Sequence, residues 1–473
     1  MSQPDPSTGF AVTTPAFLSR LAEIVGEDGL LTDDVALDGY GRDETEDLHF
    51  QPEAVVLPRD TEQVSRVLAW ANENLVPVTP RGAGTGLSGG ALPVHRGLVL
   101  SLERLDRIRS IDSENLTVVA EAGVVTAELQ RRVDEHGLFY PPDPASRETC
   151  QLGGNIAEDS AGPRCCLYGS TRRWVMGLEA VRPDGAILET GSRNLKDVAG
   201  YNLTQLLVGS EGTLAVVTAA TLRLIPRPAA TLTLALPFDR LEQAARAVCE
   251  IFRGGHSPAA CELLESGAIQ AVAASHPVPA QLNRCDALIL IELHGDDTEQ
   301  LLRRAAALGE TAEQMGGDEV LLAKEPPEQR RLWEIREKVG EAVKQRSLYK
   351  EADAVVPRSA LAELVRHARR AAARHRLEAI CYGHAGDGNL HVSLVQGELD
   401  AEAWQEARDA AEEDLFRAVV SLGGTVSGEH GIGWTQRRYL PLAVGETELE
   451  TMAAIKRLFD PRGILNPGKI FVE

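Results

Sequence analysis

Pro80-Arg81-Gly82-Ala83-Gly84-Thr85-Gly86-Leu87-Ser88-Gly89-Gly90 decides how the first half of this chain is read. The stretch follows Pro77-Val78-Thr79-Pro80 and closes a strand–helix–strand pattern, with an apolar strand from Glu53 to Leu57 and a helical period from Thr61 to Asn74. Five glycines beside one arginine place backbone amides where they can converge on phosphate oxygens. Gly84, Gly86 and Gly89 satisfy G-x-G-x-x-G, and Glu103 imitates the ribose-binding acid of a dinucleotide site. That match fails on geometry. A parallel crossover through a helix takes at least about ten to twelve residues, whereas only Ala91 to Arg96, with Pro93 among them, precede the next strand. The loop therefore reads as a phosphate cradle of another kind.

Working outward, strands are expected at Gly97–Leu102, Thr117–Glu121, Gly177–Arg182 and Thr213–Leu224, with a helix from Thr126 to His136 stopped by Gly137 and Pro141-Pro142. Pro226, Pro228 and Ala229-Ala230 break the pattern, so the chain is divided into residues 1–226 and 227–473. The second part opens with a strand at Thr231–Leu236, a helix at Arg240–Phe252, a strand at Ala287–Leu293 and a helix from Thr298. This order predicts an α+β fold with an antiparallel sheet carrying helices on one face. At 473 residues the chain exceeds one ordinary core. The first dozen residues are expected to be disordered.

With 43% apolar and 25% charged residues and no long apolar run, the composition is that of a globular protein, read as cytoplasmic and without a membrane span. A net charge of -22 repels nucleic acid and anionic lipid, so an anionic substrate requires locally placed arginine or lysine. Seven scattered cysteines without a C-x-x-C pair argue against a zinc ribbon or an iron–sulfur cluster. The adjacent Cys165-Cys166 reads as packing in a loop.

More glycine motifs follow: Pro141-Pro142-Asp143-Pro144, Gly153-Gly154-Asn155-Ile156-Ala157, Ser160-Ala161-Gly162 and Gly209-Ser210-Glu211-Gly212-Thr213-Leu214. Together with the first loop they resemble the FAD domain of the vanillyl-alcohol oxidase and p-cresol methylhydroxylase superfamily. The resemblance implies FAD held by Arg81, Gly82, Ala83, Gly84, Thr85, Gly86, Ser88, Gly89, Gly90, Pro142, Gly153, Gly154, Asn155, Gly162, Glu211 and Gly212. Some relatives attach FAD to a histidine in the first loop; Thr85 stands there in this chain, implying non-covalent FAD.

Tyr382-Gly383-His384-Ala385-Gly386-Asp387-Gly388-Asn389-Leu390-His391 follows an apolar strand, and Ser427-Gly428-Glu429-His430-Gly431-Ile432-Gly433 forms a second glycine-flanked turn. Imidazole and carboxylate side chains ligate divalent metals, and flanking glycines let distant segments meet. With the ending Phe459-Asp460-Pro461 and Asn466-Pro467-Gly468-Lys469, these segments resemble the C-terminal domain of FAD-linked D-2-hydroxy-acid dehydrogenases. That resemblance implies a divalent ion (zinc, manganese or iron) on His384, His391 and Glu429, with His430 as active-site base and Arg336 on the substrate carboxylate. The chemistry suits the residues. A metal chelated by a 2-hydroxy acid lowers the hydroxyl pKa, imidazole accepts the proton at its ordinary pKa of about 6.5, and the C2 hydride passes to flavin N5.

Where 2-hydroxyglutarate enzymes of this type carry a threonine and a lysine for a second carboxylate, this chain has Gly340 and Glu351. D-lactate or glycolate is therefore favoured over D-2-hydroxyglutarate. The resemblance further implies an electron acceptor, whether a quinone, an electron-transfer protein or an iron–sulfur subunit, and leaves room for a homodimer. A metal-dependent hydrolase using the same histidines, and a scaffold subunit without chemistry, are the competing readings; retention of His384, His391, Glu429 and His430 argues against the scaffold.

Overall fold

The fold is seen in a computed structural model that describes residues 9–472. Contacts divide the chain into two compact units, one made of Met1–Ser160, Ser170–Arg227 and Glu429–Glu473, the other of Ala161–Gly169 and Pro228–Gly428. The expected single cut after Pro226 is thus crossed twice. Residues 161–169 join the second unit because Arg164 Nε lies 2.8 Å from the Glu292 carboxylate and the Tyr168 hydroxyl lies 2.8 Å from His294 Nδ1. The C-terminal segment joins the first because Ile464 accepts from the Val78 amide (2.8 Å) and Asn466 donates to the Val78 carbonyl (2.7 Å).

In the first unit, a four-stranded sheet runs in the order Leu30–Leu31, Ala54–Val56, Leu98–Ser101, Val78–Arg81, the last three parallel. The helix Thr61–Asn74 starts where the Asp60 side chain accepts from the Gln63 amide (2.7 Å) and ends at Leu75, which is left-handed at φ 57°. Val64, Val67, Leu68 and Ala71 repeat on one face and pack with Ala54, Val56, Val78, Leu98 and Leu100. Each large side chain buried there contributes about 1.5–3 kcal/mol. No helix intervenes between Val78–Arg81 and Leu98–Ser101, so the glycine loop itself makes the parallel connection. An antiparallel sheet follows, in the order Ile108–Asp112, Thr117–Glu121, Val216–Arg223, Val175–Val181, Ile187–Gly191.

Gly97 ends that connection at φ +63°, and a Cβ there would collide with the Pro77 carbonyl. Since that carbonyl also accepts from the Leu98 amide (2.9 Å), the backbone has little room to yield. Gly97→Ala is expected to lower unfolding free energy by about 1–3 kcal/mol in denaturant titration. An unchanged midpoint would refute the constraint.

The second unit is built on a seven-stranded, wholly antiparallel sheet. Its order is Leu321–Ala323, Ala230–Phe238, Ala287–Gly295, Ala260–Glu265, Glu378–Gly383, Asn389–Val395, Tyr349–Val355. Helices were expected on one face only, but both faces of Ala287–Gly295 are closed. Leu288 and Leu290 pack with the helices Ser266–Ala273, Pro326–Glu337 and Val339–Arg346. Ile289 and Ile291, alternating to the other side, are equally buried, and the helices Leu241–Arg253, Thr298–Gln314 and Leu361–Arg374 also contact the sheet. A near-continuous apolar strand is what two covered faces require. Cys165-Cys166 opens a short helix, Cys165–Tyr168, rather than lying in a loop. Of the first dozen residues, 1–8 fall outside the described part, while Ala11 is buried and donates to the Leu75 carbonyl (3.0 Å).

Candidate functional site

A cleft opens in the first unit. Arg81 through Gly86 and Gly90 form one wall; Gly153, Gly154 and Asn155, on the helix Leu152–Glu158, form another; Glu211, Gly212, Glu429 and His430 complete it. Arg81 is buried, its Nη1 has no hydrogen-bond partner among the described residues, and Gly84 at φ +72° lets the guanidinium fold beneath the loop. A buried guanidinium with an unmet donor beside converging backbone amides suits a diphosphate.

Ser88, Gly89, Pro142 and Gly162 do not line this cleft. The Ser88 carbonyl accepts from the Trp434 and Thr435 amides (2.9 and 3.1 Å), the Gly89 amide donates to Thr45 Oγ1 (2.8 Å), and the Pro142 carbonyl accepts from Gln130 Nε2 (2.7 Å). These groups brace the wall. Gly162 lies in the second unit, where its carbonyl accepts from the Cys165 amide (3.0 Å). Glu211 lines the cleft, but its oxygens accept from the Ile432 and Gly433 amides (2.8 and 2.6 Å), fastening the turn that carries His430. Asn466 Nδ2 bridges the Gly90 and Glu211 carbonyls (3.0 and 2.8 Å), and Lys469 Nζ donates to the Leu92 carbonyl (2.7 Å). Burial pushes the Lys469 ammonium down to about 7. The terminal Asn-Pro-Gly-Lys run, read from sequence as part of the second domain, thus braces the phosphate loop.

In the second unit, His384 follows the strand Glu378–Gly383 and His391 sits in the strand Asn389–Val395, their rings 5.2 Å apart and nearly perpendicular. His384 Nδ1 lies 2.8 Å from Glu262 Oε1, and Arg336 Nε donates to Glu262 Oε2 (2.7 Å). Arg336 also stacks 5.0 Å over the Tyr382 ring. Burial acts to raise the Glu262 carboxyl, but pairing with His384 and Arg336 outweighs it and holds the group at about 2. A carboxylate accepting from Nδ1 puts the proton there and leaves Nε2 with its lone pair, the tautomer a metal-ligating histidine needs. The donor set therefore fits a divalent ion. Asp353, also buried, accepts from Asn389 Nδ2 (2.7 Å), Ser427 Oγ (3.0 Å) and the Gly428 amide (2.6 Å), fixing the turn that leads into Glu429.

Residues 227–470 match the family described as FAD linked oxidases, C-terminal domain, and residues 52–191 match the FAD binding domain. The chain belongs to the FAD-linked oxidase family. A glycolate oxidase subunit of Bacillus subtilis is 38% identical, over 92% of each chain. A D-lactate dehydrogenase of Archaeoglobus fulgidus is 38% identical, over 92% of this chain and 95% of its own. A D-2-hydroxyglutarate dehydrogenase of Stutzerimonas stutzeri is 33% identical, over 97% and 100%. The structure of p-cresol methylhydroxylase with substrate bound covers 98% of both chains at 18% identity with a TM-score of 0.82, which establishes the fold. This FAD-linked oxidase thus has the FAD-binding domain that the glycine motifs led one to expect, and it shares the fold of p-cresol methylhydroxylase. Among its described residues, no helix is long and apolar enough to cross a membrane.

Proposed function

We propose that this FAD-linked oxidase converts a small D-2-hydroxy acid, D-lactate or glycolate, to the 2-keto acid. The observation that carries the reading is that His430, a candidate base, lines the same cleft as the phosphate-type glycine loops. Relatives named as a glycolate oxidase subunit and a D-lactate dehydrogenase support the substrate class. Bound FAD, held without a covalent bond by the Arg81–Gly90 loop and Gly153–Asn155, supplies the acceptor for the substrate's C2 hydride.

His430 is assigned to take the hydroxyl proton. Arg336 is assigned to the substrate carboxylate; Glu262 and Tyr382 fix the plane of its guanidinium, whose fork matches a carboxylate. His384, His391 and Glu429 would hold a divalent cation, which supplies a Lewis acid that lowers the hydroxyl pKa. Glu351, whose carboxylate accepts from the Tyr382 hydroxyl (2.5 Å), brings negative charge close to Arg336's stacking partner and disfavours a second substrate carboxylate. The electrons then leave to a quinone, an electron-transfer protein or an iron–sulfur subunit.

The test is the visible spectrum of the purified protein without oxygen. Bleaching of a flavin band by D-lactate or glycolate, and not by D-2-hydroxyglutarate, is expected. A flavin band unmoved by all three acids would discard the substrates. A colourless protein that cannot be reconstituted with FAD would favour metal-dependent hydrolysis instead.

A further inference from the structure

We propose that Glu158 is a neutral carboxylic acid that donates a hydrogen bond to the FAD held in the cleft of the first unit. The inference rests on that cleft being the FAD site. Glu158 is the last residue of the helix Leu152–Glu158, whose first turn carries Gly153 and Gly154, and its side chain lines the same cleft. Its Oε2 is shut off from solvent and has no hydrogen-bond partner among the described residues. Oε1 is the oxygen that stays accessible, on the wall of the cleft.

Glycines leave room for the carboxyl on both sides. A Cβ at Gly431 would collide with Oε2, and one at Gly90 would stand 3.0 Å from Oε1. Gly431 follows His430, so the acid sits beside the turn that carries the candidate base. Glu211 is the neighbouring carboxyl, and a Cβ at Gly431 would stand 3.2 Å from its Oε1 as well. Two carboxylates this close do not both ionise readily, and their surroundings separate their roles. Burial raises the Glu211 carboxyl too, but a backbone amide on each of its oxygens and the nearby Lys469 act against that rise and favour its charged form. Glu158 has no donor to its buried Oε2 among the described residues, so charge on that oxygen would go uncompensated. Burial first, then the charges of Glu211 and Asp43, push the Glu158 carboxyl well above the usual carboxylate range.

The neutral form resolves a difficulty of charge. A third carboxylate beside Glu211 and Glu429 would repel a cofactor that carries a diphosphate. A protonated acid removes that repulsion, and an O–H on its accessible Oε1 is open to the cleft, where FAD presents acceptor atoms along its length.

Infrared difference spectra at neutral pH, wild type against Glu158→Gln, test the protonation state with and without FAD. The expected result is loss of a protonated-carboxyl C=O band in the variant, and a shift of that band in the wild type when FAD binds. Loss of carboxylate bands instead would overturn the proposal. FAD titration tests the hydrogen bond. Glu158→Gln, which keeps a neutral donor, should bind FAD within about twofold of wild type, and Glu158→Leu about tenfold more weakly. Equal affinities for the Gln and Leu variants would refute the hydrogen bond. If the Leu variant does not fold, the wild-type band shift on FAD binding decides the matter alone. Wild-type protein that takes up no FAD would sink the cofactor reading itself, whatever the infrared band shows.

Discussion

His430→Asn is expected to lower kcat/KM for the hydroxy acid that bleaches the flavin by about 10²–10⁴-fold, the range for loss of a positioned general base. Asparagine has similar bulk and hydrogen-bonding reach but accepts no proton near neutral pH. The cleft should survive the change, because the turn around residue 430 is held by its backbone. Glu211 accepts from the amides of Ile432 and Gly433, and the Ser88 carbonyl accepts from Trp434 and Thr435. The variant should therefore bind FAD with an unchanged visible spectrum while its anaerobic bleaching slows. Stopped-flow mixing without oxygen separates this step from reoxidation. Bleaching at the wild-type rate would remove His430 from the chemistry, and loss of flavin from the variant would give it a structural role instead.

The parts of the fold that were legible in the sequence are those whose signals are local. The helix Thr61–Asn74 has an aspartate cap and an apolar face, and the strand Thr117–Glu121 opens with three β-branched residues. The strand Ala260–Glu265 escaped because Ala-Cys-Glu-Leu-Leu-Glu contains no β-branched residue; only burial between two neighbouring strands makes it extended. The return of the C-terminal segment to the first unit was equally illegible, since it depends on Asn466 and Val78 meeting across the whole chain.

The candidate site divides in the same way. Glycine loops and histidines stand out because spacing and flanking residues mark them, whereas Glu158, Glu262 and Asp353 are ordinary acids in an acidic chain. What distinguishes them is what surrounds them. Glu158 came nearest to being found, one residue beyond the Gly-Gly-Asn-Ile-Ala motif. Arg336 was legible as an arginine of interest, but the carboxylate that orients it lies 74 residues away in sequence.

That carboxylate is where the second large effect is expected. In Glu262→Gln the amide keeps the size of the side chain but has one acceptor oxygen in place of two, and Glu262 now accepts from both Arg336 Nε and His384 Nδ1. One of these N–H groups must then face an NH₂. If His384 yields, its proton moves to Nε2 and the nitrogen lone pair proposed for the metal is lost; if Arg336 yields, a buried cation loses its counter-ion. The first route should weaken metal affinity about 10–100-fold, the usual effect of removing a partner that orients a ligand. The second should cost about 3–5 kcal/mol of stability, as for other broken buried pairs. Metal content after dialysis and the denaturation midpoint separate the two. Because Glu262 lies in the second unit, bound flavin should be retained while KM for the hydroxy acid rises with the misplacement of Arg336 or of the cation. A variant with full metal content, wild-type stability and unchanged KM would show that the buried Arg336–Glu262–His384 chain orients nothing the reaction uses.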